Sequence, residues 1–136
     1  MKRFFLLTLA SAALLGASAA PVKTYEVKSP DGRLALVLTA GERLSFTVAR
    51  DGETLVAPSE MALTLSTGEV LGESPRVRSA RRRAVTETID APLYRQSRFD
   101  AAYNELDLRL RGDYGILARA YDDGVCYRFY TERDGE

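Results

Sequence analysis

The stretch "YNELDLRLRGDYGILARAYDDGVCYRFY", residues 103–130, decides the fold. Leu106, Leu108 and Leu110 recur at every second residue, with Glu105, Asp107, Arg109 and Arg111 before, between and after them. A period of two is that of a strand, and it predicts leucines turned inward with oppositely charged residues on a solvent-facing outer surface. "ILARAY" and "VCYRFY" then flank Asp122-Asp123-Gly124, and Val125, Tyr127 and Phe129 share one face. Asp-Gly between two β-rich runs is the strongest short hairpin signal, because both central positions of a type I′ turn need positive φ. The stretch therefore predicts antiparallel strands, with Asp123 and Gly124 at the last reversal.

The same residues are tested against other chemistry. A calcium loop needs roughly 6 to 8 oxygen ligands at spaced positions, and "YDDGV" supplies too few. Two carboxylates that cleave a glycosidic bond stand about 5 to 9 Å apart on opposite sides of the sugar, with one acid buried, whereas adjacent aspartates on an exposed turn have neither property. The chain has no histidine and one cysteine, which excludes common zinc sites and histidine-based triads. Cys126 has no partner for an internal disulfide and reads as a small apolar strand residue, ahead of a reactive thiol or an intermolecular link. With no glycine-rich phosphate loop either, the residues alone assign no catalytic residue, no metal ligand and no cofactor.

Working outward, "RLALVL" (33–38), "LSFTVA" (44–49) and "MALTL" (61–65) repeat the alternation. They place Leu34, Leu36 and Leu38, then Leu44, Phe46 and Val48, then Met61, Leu63 and Leu65 on inward faces. Between them stand the turn signals "SPDG" (29–32), "AGER" (40–43) and "RDG" (50–52), each with a glycine free to take positive φ. The middle, residues 66–99, has fewer apolar residues and two prolines, and predicts one or two irregular strands. Its run Arg81, Arg82 and Arg83 reads as a solvated edge strand that blocks unwanted pairing, against the alternative of a phosphate or glycan contact. No sustained helical period occurs, so the chain reads as all-β, built of antiparallel hairpins.

At the start, "MKRFFLLTLASAALLGASAA" carries Lys2 and Arg3, an apolar run from Phe4 to Leu15, and small residues ending in Ala17-Ser18-Ala19. This predicts a secretory signal peptide over 1–19 and an exported domain over 20–136. No later stretch approaches the ~20 apolar residues of a membrane span. Nineteen basic residues match 19 acidic ones, which gives no long-range attraction to nucleic acid or anionic lipid.

"SPDGRLALVL", "LSFTVARDG", "YNELDLRLR" and "RAYDDGVCYRF", in that order, resemble the N-terminal domain of glycoside hydrolase family 97, from about Tyr25 to Tyr130. The resemblance implies a bacterial, periplasmic or extracellular protein related to α-glucosidases and α-galactosidases. It implies a β-sandwich of the mutarotase-like super-sandwich type, here its incomplete first part, followed in the family by a catalytic (β/α)₈ barrel and a small C-terminal β domain. In that family the barrel carries the catalytic carboxylates and most ligands of a calcium ion, and the N-terminal domain packs on it and helps complete the sugar site. The glutamate that the domain lends to calcium falls beyond Glu136, so no catalytic residue and no metal ligand carries over.

The partners so implied are the barrel and an α-linked oligosaccharide, calcium is expected only in the full-length family enzyme, and this chain is expected inactive alone. Tyr94, Tyr103 and Tyr121 are the sugar-stacking candidates, with strand packing as the competing use. The alternative is a stand-alone exported carbohydrate-binding or envelope interaction module. A sandwich short of partner strands is expected to leave part of its Leu and Phe faces wet and its last strand with an open edge.

Overall fold

A computed structural model describes residues 21–90, 92 and 98–133, so the leader at 1–19 and Tyr94 lie outside the described residues. Strands β1 (Lys23–Lys28), β2 (Leu34–Ala40), β3 (Leu44–Arg50) and β4 (Glu53–Glu60) form one antiparallel sheet in chain order. After a small ribbon of β5 (Leu63–Thr64) and β6 (Val70–Leu71) comes a second four-stranded sheet. Its strands are β7 (Val77–Asp90), β8 (Arg98–Leu110), β9 (Tyr114–Ala120) and β10 (Val125–Thr131), again joined as antiparallel neighbours. No helix occurs among the described residues. The two sheets face each other as the expected antiparallel sandwich.

Alternation builds the core directly. Leu36 and Leu38 of β2 and Leu44 of β3 are fully buried together with Leu106 and Leu108 of β8 and Ile116 of β9. β1 lies over β8 and β9, and β2 over β9 and β10. At the β1 side the sandwich is closed by side chains. Arg82 Nε donates to the Glu26 carbonyl and Asn104 Nδ2 to the Lys28 carbonyl, both at 2.9 Å, satisfying backbone acceptors of an edge strand. At the other side Tyr127 meets Phe46 at 5.2 Å between ring centroids yet stays 40% exposed, and β10 pairs only with β9 among the described residues.

The turns divide differently from the sequence reading. Asp51 and Gly52 take φ of 51° and 85°, the two positive values of a type I′ turn, in "RDG". At "DDG" neither Asp123 nor Gly124 lies in the left-handed region, which corrects the expected type I′ turn there. The strands close through Ala120 opposite Val125, and Tyr121 N–H donates to the Gly124 carbonyl at 2.8 Å, so Asp122 and Asp123 form the tip. Asp122 Oδ1 accepts from Asp31 N–H at 2.9 Å, which ties this tip to the β1–β2 turn on the other sheet. Gly41 of "AGER" also stays out of the left-handed region.

Two further expectations are corrected. Met61 is buried but Leu63 is 42% exposed, because the chain leaves the sheet after Glu60 and Met61 and Leu63 no longer share a strand. Within the middle, β7 is longer and more regular than expected: it pairs with β8 along nearly its whole length, with one shift between Val77 and Ser79. The arginine run sits within β7, an edge strand as expected, although Arg82 turns to the inner face.

Candidate functional site

The outer face of the second sheet gathers most of the chain's distinctive side chains. Because Leu106, Leu108 and Leu110 point into the core, Tyr103, Glu105 and Asp107 must point away from it. Register then sets Arg83 of β7 and Arg119 of β9 on either side of Glu105, with Cys126 of β10 opposite Arg119. Arg83 Nε donates to Glu105 Oε1 at 2.6 Å and Arg119 Nε to Oε2 at 2.8 Å. Glu105 is only 3% exposed, which corrects the expectation of a solvent-facing outer surface. The long arginine and tyrosine side chains fold down and cover it.

Burial alone would push the Glu105 carboxyl up, but the hydrogen bonds from Arg83 and Arg119 outweigh it and hold the group below its ordinary range. A general acid needs the opposite shift, so Glu105 is a fixed anion and not a proton donor. Above it, the Arg119 guanidinium lies 4.5 Å from the Tyr103 ring centroid, and Tyr103 and Tyr121 meet at 4.8 Å. Tyr103 Oη donates to Glu87 Oε1 at 2.9 Å, and burial followed by this bond raises its pKa. Tyr103 is 2% exposed, so its ring has no open face for a sugar and the packing use holds. Tyr121 is half-buried with its ring against Tyr103.

A second group lies one step along the sheet. Tyr130 Oη donates to Asp107 Oδ1 at 2.5 Å, and the Tyr130 ring lies across Gly115, where an added Cβ would stand 2.4 Å from Cζ. Burial, then the bond to Asp107, pushes the Tyr130 hydroxyl up to about 12. Replacing Gly115 with alanine is expected to swing the ring outward, break the bond at a cost of about 1 kcal/mol, and return the phenol toward 10.0. Ultraviolet titration of the phenolate checks this; an unchanged titration would show that the ring does not depend on Gly115.

Recesses near these groups are open. One of about 270 Å³ is lined by Leu117, Arg119, Cys126, Tyr127 and Arg128. Another of about 250 Å³ is lined mainly by Leu63, Leu65, Leu71 and Phe129. Cys126 lies in β10, a strand residue as expected, and is exposed on the outer face. Among the described residues no group of three or more His, Cys, Asp or Glu stands where it could hold a metal ion. Glu87, Glu105 and Asp107 are each engaged by a tyrosine or arginine. Among the described residues the face offers guanidinium and aromatic contacts for recognition. Sequence reading missed the clasp on Glu105, since the only signal is the register that brings Arg83 and Arg119 beside it.

A family model described as "Glycosyl-hydrolase 97 N-terminal" matches residues 27–135. A retaining alpha-galactosidase from Bacteroides thetaiotaomicron is 37% identical over 110 residues, covering 81% of this chain and 17% of that protein. Among solved structures, a glycoside hydrolase family 97 enzyme from Pseudoalteromonas sp. strain K8 in complex with acarbose superposes with a TM-score of 0.73 at 16% identity, over 81% of this chain and 18% of its own. A beta-arabinopyranosidase superposes with a TM-score of 0.72 at 19% identity, over 82% and 18%. The chain thus spans less than one fifth of the length of these relatives.

Proposed function

Because this chain belongs to glycoside hydrolase family 97, as its N-terminal domain, we propose that it is the non-catalytic, carbohydrate-associated sandwich of an exported α-glycosidase. In this reading it packs on the catalytic barrel and helps complete the site for an α-linked sugar. The leader at 1–19 directs it to the periplasm or the outside of a bacterial cell. The observation that carries the reading is the match over residues 27–135, joined to an outer face whose acids are all held by neighbours. Such a face contributes shape and fixed charge, while proton transfer falls to carboxylates elsewhere in the enzyme. Among the described residues no group of acids fits a calcium site, and in this reading the ion belongs to the rest of a full-length enzyme.

The 136-residue chain, incubated with p-nitrophenyl α-galactoside and α-glucoside, is expected to release no nitrophenol above the buffer rate. Hydrolysis that tracks the purified chain would overturn the reading. Calorimetry with the same two sugars adds a second criterion: saturable heat from the chain alone would assign it as a stand-alone carbohydrate-binding module instead.

A further inference from the structure

The long β7–β8 hairpin outgrows the sheet that contains it. β9 pairs with β8 only from Asn104 onward, while β7 and β8 go on pairing through Ala102, Ala101, Asp100, Phe99 and Arg98. Residues 86–90 and 98–102 therefore form a two-stranded arm that projects about 17 Å at ~3.4 Å per residue. The faces of this arm are unlike. On one, Thr88 donates to Asp100 at 2.8 Å and Arg98 pairs with Asp90 at 3.1 Å. On the other, Ile89 and Phe99 stand directly opposite each other, 45% and 40% exposed.

A two-stranded ribbon is marginal in water by itself, and an apolar cross-strand pair left in solvent adds nothing to it. The Ile89–Phe99 side continues, past Glu87 and Ala101, into the outer face where Arg119 and Tyr121 are half-buried. Exposed apolar side chains flanked by tyrosine and arginine are the residue types that dominate binding energy once an interface buries them. The arm lies within the family match over residues 27–135, and a relative of this chain extends far beyond the matched part. From these observations we propose that the Ile89–Phe99 face of the arm docks into an apolar hollow on the catalytic part of a full-length family enzyme. The proposal rests on the packing role given under Proposed function and names the surface that performs it.

The test places residues 27–135 of this chain in the Bacteroides thetaiotaomicron enzyme, in place of its own matching stretch. In that chimera Ile89→Ser with Phe99→Ser is expected to lower kcat/KM on an α-galactoside about tenfold and the thermal midpoint by about 5 °C. Leu55→Ser, at a 57% exposed site on β4, is expected to leave both unchanged. In the 136-residue chain alone the double variant is expected to shift the midpoint by no more than about 2 °C, because both side chains already face water. An active chimera indifferent to the double substitution would overturn the docking arm and leave the proposed function standing. An equal loss in the isolated chain would overturn it as well, as would a change from dimer to monomer there, which would make a second copy the occupant. A chimera that does not assemble would overturn both readings.

Discussion

Gly72→Ala is expected to lower the thermal midpoint by about 15 °C or more. Gly72 has φ of 101°, and a Cβ there would stand 2.2 Å from the Met61 carbonyl oxygen and 3.3 Å from its carbon. Both neighbours are backbone, so no side chain can swing aside. The glycine is also tied on either side: its N–H donates to Tyr114 Oη at 3.2 Å, and its carbonyl accepts from Leu44 N–H at 2.8 Å. Met61 N–H in turn donates to the Leu44 carbonyl at 2.8 Å. Relief of the clash must move three segments that meet in the core.

Backbone strain of ~1–3 kcal/mol and overpacking of ~1–3 kcal/mol together suggest about 4 kcal/mol. A small domain's whole stability is ~5–15 kcal/mol. Gly68→Ala is the control, since Gly68 has φ of 86° but nothing within 4 Å of an added Cβ. Calorimetry of both variants separates clash from strain; losses of equal size would show that the Met61 contact does not matter.

The parts of this fold legible in the sequence are those whose physics is local. Alternation in "LALVL" and "ELDLRL" requires only that one face be wet and the other dry, and Leu36, Leu38, Leu106 and Leu108 are buried accordingly. "RDG" shows its turn because Asp51 and Gly52 themselves adopt the positive φ values. β7 was obscured because Arg81, Arg82 and Arg83 break the alternation. The three side chains go to different ends: Arg82 crosses to the Glu26 carbonyl, Arg83 clasps Glu105, and Arg81 stays exposed.

β4 was hidden for another reason. Its apolar residues cluster as "LVAP" and it carries Pro58, tolerable only on an edge strand with register shifts. The candidate site was the least legible. Whether Glu105 faces water or two guanidiniums depends on pairings with strands 22 and 14 residues away, which no local pattern encodes.

Those pairings make Glu105 the place to test what the outer face is for. Removing one member of a buried ion pair costs ~3–5 kcal/mol, but the Arg83 side chain is 65% exposed and Arg119 30%, so water screens part of the interaction. Glu105→Gln is accordingly expected to cost about 2 kcal/mol at neutral pH, measured by urea unfolding. The sign of its pH dependence follows from the lowered carboxyl pKa. A group held below its ordinary value of 4.5 contributes stability that is fully present above that value and is lost as pH falls through the folded one.

The wild-type advantage over the glutamine variant is therefore expected to be whole near neutrality and to shrink as the pH falls below 4.5. Asp31, Asp51 and Glu69 are also held low by their partners, but they titrate alike in both proteins and cancel in the difference. A gap that stays constant or widens on acidification would show that Glu105 does not act as the anion between Arg83 and Arg119. A carboxyl serving as proton donor would instead sit above its ordinary value and weaken the fold near neutrality, so its amide variant would be no less stable than wild type there. The same unfolding curves thus separate a structural clasp from a catalytic acid without any substrate being added.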